Sequence, residues 1–162
     1  MLIIGIDPGT AKTGFGLVRE TDNGMEVVDY GVVVTPAGER PEIRLFQIYD
    51  ELTKLMLLHR PTSGAVERLF FQRNVSTAIA VGQARGVAML VMAQNSVPVS
   101  EYTPLEVKQA VTGYGKADKN QVQQMVKALL ELEDIPRPDD AADALAIAIC
   151  HLHSMKYSTL SA

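Results

Sequence analysis

The chain contains few of the residues that mark secreted, disulfide-stabilised or membrane-spanning proteins. Its 162 residues include a single cysteine, Cys150, and no tryptophan, which excludes an intrachain disulfide and a metal cluster built from cysteines. No stretch approaches the ~20 apolar residues of a membrane span, and the first apolar segment is interrupted at Asp7 without a basic leader before it. We therefore expect a cytoplasmic protein that does not enter a membrane.

The length and composition predict one globular domain. Soluble domains commonly contain about 100 to 150 residues, and 47% apolar with 21% charged residues is the composition of an ordinary globular protein. No internal repeat, low-complexity tract or linker interrupts the chain. We expect a single domain over residues 1–156 and a flexible C-terminal tail over residues 157–162.

Positive charge is scarce in the chain as a whole but not in its middle. The formal net charge is −4, yet residues 60–127 contain eight Lys or Arg against four acids, which leaves a net charge of −8 for the remainder. A local cluster of basic residues is what sets up phosphate contacts in a nucleic-acid-binding protein. The alternative is that these basic residues are scattered and solvated.

The hydrophobic pattern predicts strands first and alternating helices and strands afterwards. Strands over residues 14–19 and 25–35 follow the apolar strand that ends at Asp7, with Asn23-Gly24 in the turn because this pair tolerates the positive φ of a tight hairpin. Further strands are predicted over residues 63–69 and 97–102, and helices over residues 39–59, 75–94, 104–112, 120–132 and 139–155. Thr103 and Glu106 predict a capping box at one helix start. This order predicts an α/β fold with a mixed sheet of five strands flanked by helices.

Four carboxylates lie where three separate elements end or begin. A buried strand that ends in Asp7 is costly unless a cation receives the charge, and Glu67 lies near the end of another predicted strand. Asp140 and Asp143 share one face of the last helix, where like charges repel unless a cation lies between them. Oxygen ligands suit hard cations such as Mg²⁺, and such a set is typical of two-metal hydrolysis at phosphorus. The alternative for the helical acids is the positive end of the helix dipole, and for Asp139 an N-cap is the favoured interpretation.

Several motifs together resemble the RuvC family of Holliday junction resolvases, and they span residues 2 to about 153. They are Ile4 to Thr10 (IGIDPGT), Glu67 with Phe70 and Asn74, Gly82 to Ala88 (GQARGVA), Val107-Lys108-Gln109, and Asp140 to Ala148 (DAADALAIA). One such motif is weak evidence, whereas all of them in order, with near-family spacing, leave few rivals.

The resemblance implies a ribonuclease H-like fold and a homodimer that cuts two strands of like polarity symmetrically across a four-way DNA junction in recombination and repair. It implies dependence on Mg²⁺, with two ions per active site and Mn²⁺ as a substitute, and partnership with the RuvA–RuvB branch-migration motor. The catalytic metal ligands that it implies are Asp7, Glu67, Asp140 and Asp143. Asp139 directly precedes the family acid and is an extra carboxylate, so whether it assists the metal site stays open.

The resemblance, together with the basic and aromatic residues in the middle of the chain, predicts the residues that contact DNA. They are Phe70, Arg73, Asn74, Arg85, Lys108, Lys116 and Lys119. Phe70 matches a family aromatic, and aromatic rings beside basic groups stack on unpaired bases, whereas Phe71 is equally a candidate for the core. Lys108 and Lys119 match family positions near the scissile phosphate, where an ammonium stabilises developing negative charge and so assists catalysis. The alternative for these two is a solvated surface role, and Arg85 either contacts the DNA backbone or pairs within the protein.

The predicted helix over residues 75–94 is apolar on most sides. Gly82 and Gly86 lie four residues apart on it and permit close packing against another helix. The resemblance assigns this helix to the dimer contact, and a two-fold dimer suits a symmetric substrate, while the alternative is a core helix. His151 and His153, late in the last helix, are predicted to be C-terminal helix residues favoured by the dipole and not metal ligands.

Three other classes of protein share parts of this pattern. An actin-like ATPase or sugar kinase begins with a similar strand, Asp and Gly-Thr turn, but it needs two such domains and a longer chain. A non-catalytic junction-binding module would have no reason to keep four carboxylates near DNA, where they repel phosphate. A different ribonuclease H-like nuclease, acting on structured RNA, is the nearest alternative, and the motif match along the full length argues against it.

Overall fold

The computed structural model describes residues 1–68 and 74–160, which contain five strands and five helices. The strands are β1 (Leu2–Asp7), β2 (Lys12–Thr21), β3 (Gly24–Val34), β4 (Ser63–Glu67) and β5 (Val99–Tyr102). The helices are α1 (Pro41–His59), α2 (Val75–Gln94), α3 (Pro104–Thr112), α4 (Lys119–Leu129) and α5 (Asp139–Leu160). The strands form one sheet in the order β3-β2-β1-β4-β5. The predicted mixed sheet of five strands flanked by helices is therefore confirmed.

Strand β1 lies at the centre of the sheet. It pairs antiparallel with β2 and parallel with β4, and its apolar side chains are buried. Because β1 and β4 run in the same direction, their carboxyl ends lie at the same edge of the sheet. Ile6 stands opposite Val66, so the next residues, Asp7 and Glu67, emerge side by side at that edge.

Side chains of β1 alternate between hydrophobic cores on the two faces of the sheet. Ile3 is buried with Leu145 and Ile149 of α5 on one face. Ile4 and Ile6 are buried on the opposite face with residues of α1 and α2. Burial of apolar surface stabilises by roughly 25 cal/mol per Å², and here it fixes α5 across the strands that lead to the acidic edge.

Glycines let α5 lie directly on the backbone of β1 and β2. A Cβ atom added to Gly5 would overlap the carbonyl oxygen of Ala144, and one added to Gly14 would overlap that of Asp140. A Cβ on Gly16 would lie 2.8 Å from the Leu145 side chain. Only residues without a side chain permit this approach, and it brings the first turns of α5 over the end of β1.

Helix α5 is longer than predicted. The sequence predicts a helix that ends at Met155 and a flexible tail from residue 157, but α5 continues to Leu160. Lys156 Nζ lies 3.0 Å from Glu20 Oε1 of β2, and Ser158 Oγ donates to the Met155 carbonyl at 2.8 Å. The predicted end of the helix is therefore wrong, because α5 continues over residues 157–160, next to the contact with a strand distant in sequence; the flexibility of the tail stays a prediction. Residues 161–162 lie outside the described part of the chain.

Other element boundaries differ from the predictions by a few residues. Strand β2 begins two residues early, at Lys12, since it pairs with β3 along its whole length. Helix α4 ends at Leu129 and not at residue 132, because Glu131 takes a left-handed backbone conformation with φ 52°. The predicted capping box of Thr103 and Glu106 is confirmed at the start of α3.

Helix α2 contradicts the expectation that no stretch approaches a membrane span. Within residues 1–68 and 74–160 it is the one helix long and apolar enough to cross a bilayer. Length and composition alone decide that test, and a core helix of a soluble protein passes it too. Ala84, Ala88, Val91 and Met92 on one side of α2 are completely buried in the core, which accounts for part of its apolar composition.

Candidate active site

Three elements bring the predicted acids to one edge of the sheet. Asp7 ends β1 and Glu67 ends the adjacent parallel strand β4. Asp140 and Asp143 lie in the first turns of α5. This part of α5 lies against β2 next to Asp7, because Gly14, at which an added Cβ would overlap the Asp140 carbonyl, is the register partner of Asp7. The carboxyl ends of two strands and the start of one helix therefore meet.

Electrostatics show that Asp7 senses all three of the other acids. Burial is the largest cause of its raised pKa, which lies at about 8 instead of 3.8. The negative charges of the other predicted ligands raise the pKa further, in decreasing order Asp143, Glu67 and Asp140. The ammonium of Lys119 lowers it in part. Asp7 is thus the carboxylate on which the negative field of the site is concentrated.

Glu67 and Asp143 are perturbed in the same direction. Burial raises the pKa of Glu67 above its ordinary value, Asp143 adds to the rise, and Lys108 opposes it. Burial also raises the pKa of Asp143, against the lowering effect of Lys119. Each acid is therefore coupled to another acid and to one of the two predicted lysines.

A cavity of about 260 Å³ joins these groups. Its polar lining consists of Glu67, Asp143, Lys108 and Lys119, and the remaining lining is mostly apolar, including Val107 and Val122. Two acids and two ammonium groups in an apolar cavity suit a phosphodiester bound together with a cation. The ammonium groups balance the negative charge of the phosphate, and the acids balance the positive charge of the cation. The cavity thus contains four of the six residues predicted to act in catalysis.

The carboxylates fit a divalent cation by their chemistry. Oxygen ligands suit Mg²⁺, and an accumulation of buried like charge is stabilised by a cation placed between the acids. Within residues 1–68 and 74–160, however, no three His, Cys, Asp or Glu side chains lie close enough together to hold an ion as they stand. The four predicted ligands therefore lie at one edge of the sheet without three of their carboxylates being close enough together to hold an ion as they stand.

Asp139 does not cap α5, contrary to the prediction. It is the first residue of the helix, and the carbonyl of Pro138 accepts from the backbone N–H of Ala141 at 3.0 Å. The Asp139 carboxylate turns to Lys119, whose Nζ lies 3.2 Å from Oδ2. This contact is the largest cause of the lowered pKa of Asp139, and a hydrogen bond from Gln123 is the next.

Lys119 connects Asp139 to the acids of the cavity. Its Nζ lies 3.8 Å from Asp143 Oδ2, farther than from Asp139. Burial lowers the pKa of Lys119, but the hydrogen bond to Asp139 and the charges of Asp143, Asp139 and Asp140 outweigh that effect, so the pKa is raised overall. Lys119 therefore carries its positive charge against the acidic edge.

The residues predicted to contact DNA are placed in different ways. Asn74 caps α2, with its side-chain oxygen accepting from the Thr77 N–H at 3.3 Å. Lys116 is exposed in the segment between α3 and α4. Arg85 forms an ion pair with Glu101, the internal pairing that the sequence had left as an alternative to DNA contact. Phe70, Phe71 and Arg73 lie outside the described residues.

Sequence reasoning missed a buried hydrogen-bonded histidine that links three elements. His151 lies in the middle of the long α5 and not at its end, with 3% of its surface exposed. Its Nε2 lies 2.7 Å from Ser63 Oγ of β4, and its Nδ1 lies 2.8 Å from Tyr102 Oη of β5. Burial lowers the pKa of His151. The sequence around His151 gives no sign of these partners, since they lie 88 and 49 residues away in the chain.

Comparisons with known proteins agree on one family. The family model "Crossover junction endodeoxyribonuclease RuvC" matches residues 3–151. The crossover junction endodeoxyribonuclease RuvC of Desulfitobacterium hafniense is 58% identical over 155 residues, which cover 96% of this chain and 94% of the relative. A Thermus thermophilus RuvC structure superposes with a TM-score of 0.91 at 36% identity, with 98% of each chain covered. A structure of T. thermophilus RuvC in complex with a Holliday junction substrate gives a TM-score of 0.90 at 34% identity, with 98% of each chain covered. The ribonuclease H-like fold predicted from the motifs is thereby confirmed.

Proposed function

The chain belongs to the RuvC family of crossover junction endodeoxyribonucleases, and on that premise we propose that it resolves four-way (Holliday) DNA junctions in recombination and repair. The reaction is paired, symmetric hydrolysis of phosphodiester bonds in two strands of like polarity. The observation that carries the proposal is the placement of four acids at one edge of the sheet, with Asp7 and Glu67 at the ends of adjacent parallel strands and Asp140 and Asp143 in the first turns of α5. A site that concentrates negative charge in this way suits a metal-dependent nuclease better than a module that only binds DNA.

In this proposal the residues that hold the metal are Asp7, Glu67, Asp140 and Asp143. Their oxygen ligands suit Mg²⁺, with two ions per site and Mn²⁺ as a substitute. When bound, such ions supply an activated water and stabilise the leaving oxygen. The raised pKa values of Asp7 and Glu67 are a property of the metal-free protein, because a divalent cation favours the ionised carboxylates.

The lysines of the cavity hold the scissile phosphate in place. Lys108 and Lys119 line the same cavity as Glu67 and Asp143, so a phosphate that enters meets ammonium groups beside the acids. Such positive groups stabilise the negative charge that develops on phosphate oxygens in the transition state. Phe70, Arg73 and Lys116 extend the contact to the junction, with Phe70 stacking on an unpaired base. Arg85 is paired with Glu101, which Arg68 shares at 3.7 Å, and its contact with DNA stays a prediction.

Two copies of the chain are needed for two symmetric cuts, and α2 supplies the contact between them. Val75, Ile79 and Leu90 of this helix are 68%, 55% and 53% exposed, although they are large and apolar. Their spacing of four and eleven residues puts them on one face, together with the exposed Gly86. By resemblance to the family, the dimer acts in the cytoplasm with the RuvA–RuvB branch-migration motor.

The proposed activity is tested by cleavage of matched substrates. The purified protein is incubated with an end-labelled synthetic four-way DNA junction, with a linear duplex of the same sequence and with a four-way RNA junction, each in Mg²⁺ or in EDTA. We expect paired nicks at symmetric positions in the DNA junction, in Mg²⁺ only, with the duplex largely intact. Equal cutting of junction and duplex would contradict the junction specificity, and preferred cutting of the RNA would favour an RNA nuclease instead.

Acid variants separate binding from cutting in the same assay. Glu67→Gln and Asp143→Asn should abolish junction cleavage, yet bind the junction in EDTA as tightly as the unchanged protein or more tightly, because each removes a negative charge that repels phosphate. Electrophoretic mobility shifts measure the binding. Asp22→Asn, in the exposed β2–β3 turn, is the matched control and should cut normally. Undiminished cleavage by Glu67→Gln or Asp143→Asn would remove the metal-site assignment.

A further inference from the structure

We propose that Asp139 is a positioning residue, which holds the ammonium of Lys119 at the mouth of the acidic cavity and keeps it from closing onto the metal ligands. The inference rests on the proposed function, since it concerns the same site. Asp139 itself is not part of the cavity lining, whereas Lys119 and Asp143 are. It would act on the metal and the phosphate only through Lys119.

The first support is the position of the Lys119 ammonium between two carboxylates. Nζ lies 3.2 Å from Asp139 Oδ2 and 3.8 Å from Asp143 Oδ2. The ammonium is therefore closer to the carboxylate outside the cavity than to the one inside it. With Asp139 absent, the acids of the cavity would be the strongest attraction left for this long and flexible side chain.

The second support is that Asp139 is itself held in one orientation. Its Oδ1 accepts from Gln123 Nε2 and from Arg137 Nη1, each at 3.1 Å. Gln123 lies on α4 with only 6% of its surface exposed, so packing fixes the position of this donor. With Oδ1 bound on one side, Oδ2 is left facing Lys119, which begins the same helix α4.

The pair is poorly explained by a role in folding alone. The side chains of Lys119 and Asp139 are 55% and 48% exposed, and ion pairs this exposed contribute little to stability. An acid in the first turn of a helix also interacts favourably with the helix dipole, but that interaction does not require Lys119. The distinguishing property of the proposal is therefore that the effect of Asp139 depends on Lys119.

A double-mutant cycle on metal binding tests that dependence without DNA and without catalysis. Binding of Mn²⁺ is measured by isothermal titration calorimetry for the unchanged protein, Asp139→Asn, Lys119→Ala and the double variant. Asparagine keeps an oxygen for Gln123 and Arg137 but loses the charge that holds Lys119. We expect Asp139→Asn to weaken Mn²⁺ binding about fivefold or more when Lys119 is present, because the ammonium then competes for the acids, and less than twofold when Lys119 is absent.

The controls separate this effect from loss of charge. Asp134→Asn removes the same charge from an exposed position in the segment before α5 and should change Mn²⁺ affinity less than twofold. Asp139→Ala, which also removes the contacts with Gln123 and Arg137, should show the same dependence on Lys119 as Asp139→Asn. If Asp139→Asn weakens Mn²⁺ binding equally with Lys119 present and with Lys119 replaced by Ala, the inference is overturned, and Asp139 acts on the ion only through its own negative charge.

Single-turnover cleavage of the junction at saturating Mg²⁺ gives a second cycle. Asp139→Asn should lower the cleavage rate several-fold with Lys119 present and have little effect in the Lys119→Ala background, while the dissociation constant for the junction in EDTA changes less than twofold. If the unchanged protein cuts no junction, the proposed function fails, but the Mn²⁺ cycle still decides the role of Asp139. If the junction is cut and both cycles are additive, only the inference about Asp139 fails.

Discussion

At the scale of single residues, Asp7 differs most from its behaviour in an unfolded chain. Its pKa rises from 3.8 to about 8, first through burial and then through the charges of Asp143, Glu67 and Asp140. The folded, metal-free chain therefore holds a proton on Asp7 at pH values where the unfolded chain has released it. A group of this kind makes stability depend on pH in a known direction.

We predict that Asp7→Asn stabilises the metal-free protein and flattens its pH dependence. Between the ordinary pKa of 3.8 and the folded pKa of about 8, the folded state binds more protons than the unfolded state, so stability falls as pH rises through this window and levels off above it. In urea unfolding followed by circular dichroism in EDTA, the advantage of Asp7→Asn over the unchanged protein should grow by about 3 to 4 kcal/mol from pH 5 to pH 8. A constant difference across that range would contradict the buried, acid-coupled environment of Asp7, and Asp22→Asn should follow the unchanged protein.

At the scale of elements, the site depends on how closely α5 approaches the first hairpin. The strands supply Asp7 and the helix supplies Asp140 and Asp143, so their separation is set by the packing of one element on the other. Gly5 and Gly14 provide the room for this contact, because backbone atoms of Ala144 and Asp140 occupy the space that a Cβ atom at these positions would take. Nearer the carboxyl end of α5, the buried His151 is within hydrogen-bonding distance of Ser63 and Tyr102 and so connects the same helix to β4 and β5.

We predict that Gly14→Ala shifts α5 and impairs the site. The added methyl group would overlap the Asp140 carbonyl, and overpacking of this kind costs about 1 to 3 kcal/mol. Mn²⁺ affinity and junction cleavage should each fall at least about tenfold under conditions where circular dichroism shows the variant still folded, an effect of about 1.4 kcal/mol. Gly38→Ala, where nothing lies within 4 Å of the added atom, should retain stability and cleavage. Full activity of a folded Gly14→Ala would show that the close contact does not position the acids.

At the scale of the whole molecule, the proposed function assigns dimer formation to the exposed apolar face of α2 and strand cleavage to the acidic edge. In the proposed function the edge makes one cut, and a second copy related by a two-fold axis makes the other. The large apolar residues exposed on α2, Val75, Ile79 and Leu90, are the surface that such a copy would cover. Their exposure in a single chain would otherwise be unfavourable.

We predict that Ile79→Glu separates the dimer. A carboxylate buried without a partner in an apolar contact is costly, so the dissociation constant should rise by about tenfold or more, as measured by light scattering after size exclusion over a range of concentrations. Val34→Glu, at an apolar residue of β3 that is 62% exposed, is the matched control and should leave the oligomeric state unchanged. Cleavage by Ile79→Glu should turn from paired to single nicks. A protein that is monomeric without any substitution would contradict the assignment of α2.

Local pattern in the sequence determined which elements form and which acids lie at their ends. Alternating and helical spacing of apolar residues sets the strands and helices, and the ends of β1 and β4 carry Asp7 and Glu67 by position alone. The capping box of Thr103 and Glu106 depends on residues three apart and was therefore also visible. These features rest on interactions within a few residues, which a linear sequence displays directly.

Only the tertiary structure decided which charges pair. The partners of Arg85, Lys119 and His151 lie on other elements, and Asp139 turned from a predicted cap to an ion pair because Lys119 and Gln123 of α4 came within its reach. The helical turn at residues 157–160 likewise accompanies the contact of Lys156 with Glu20. Side-chain pairing depends on distances in space, and a sequence fixes those distances only after its chain has packed.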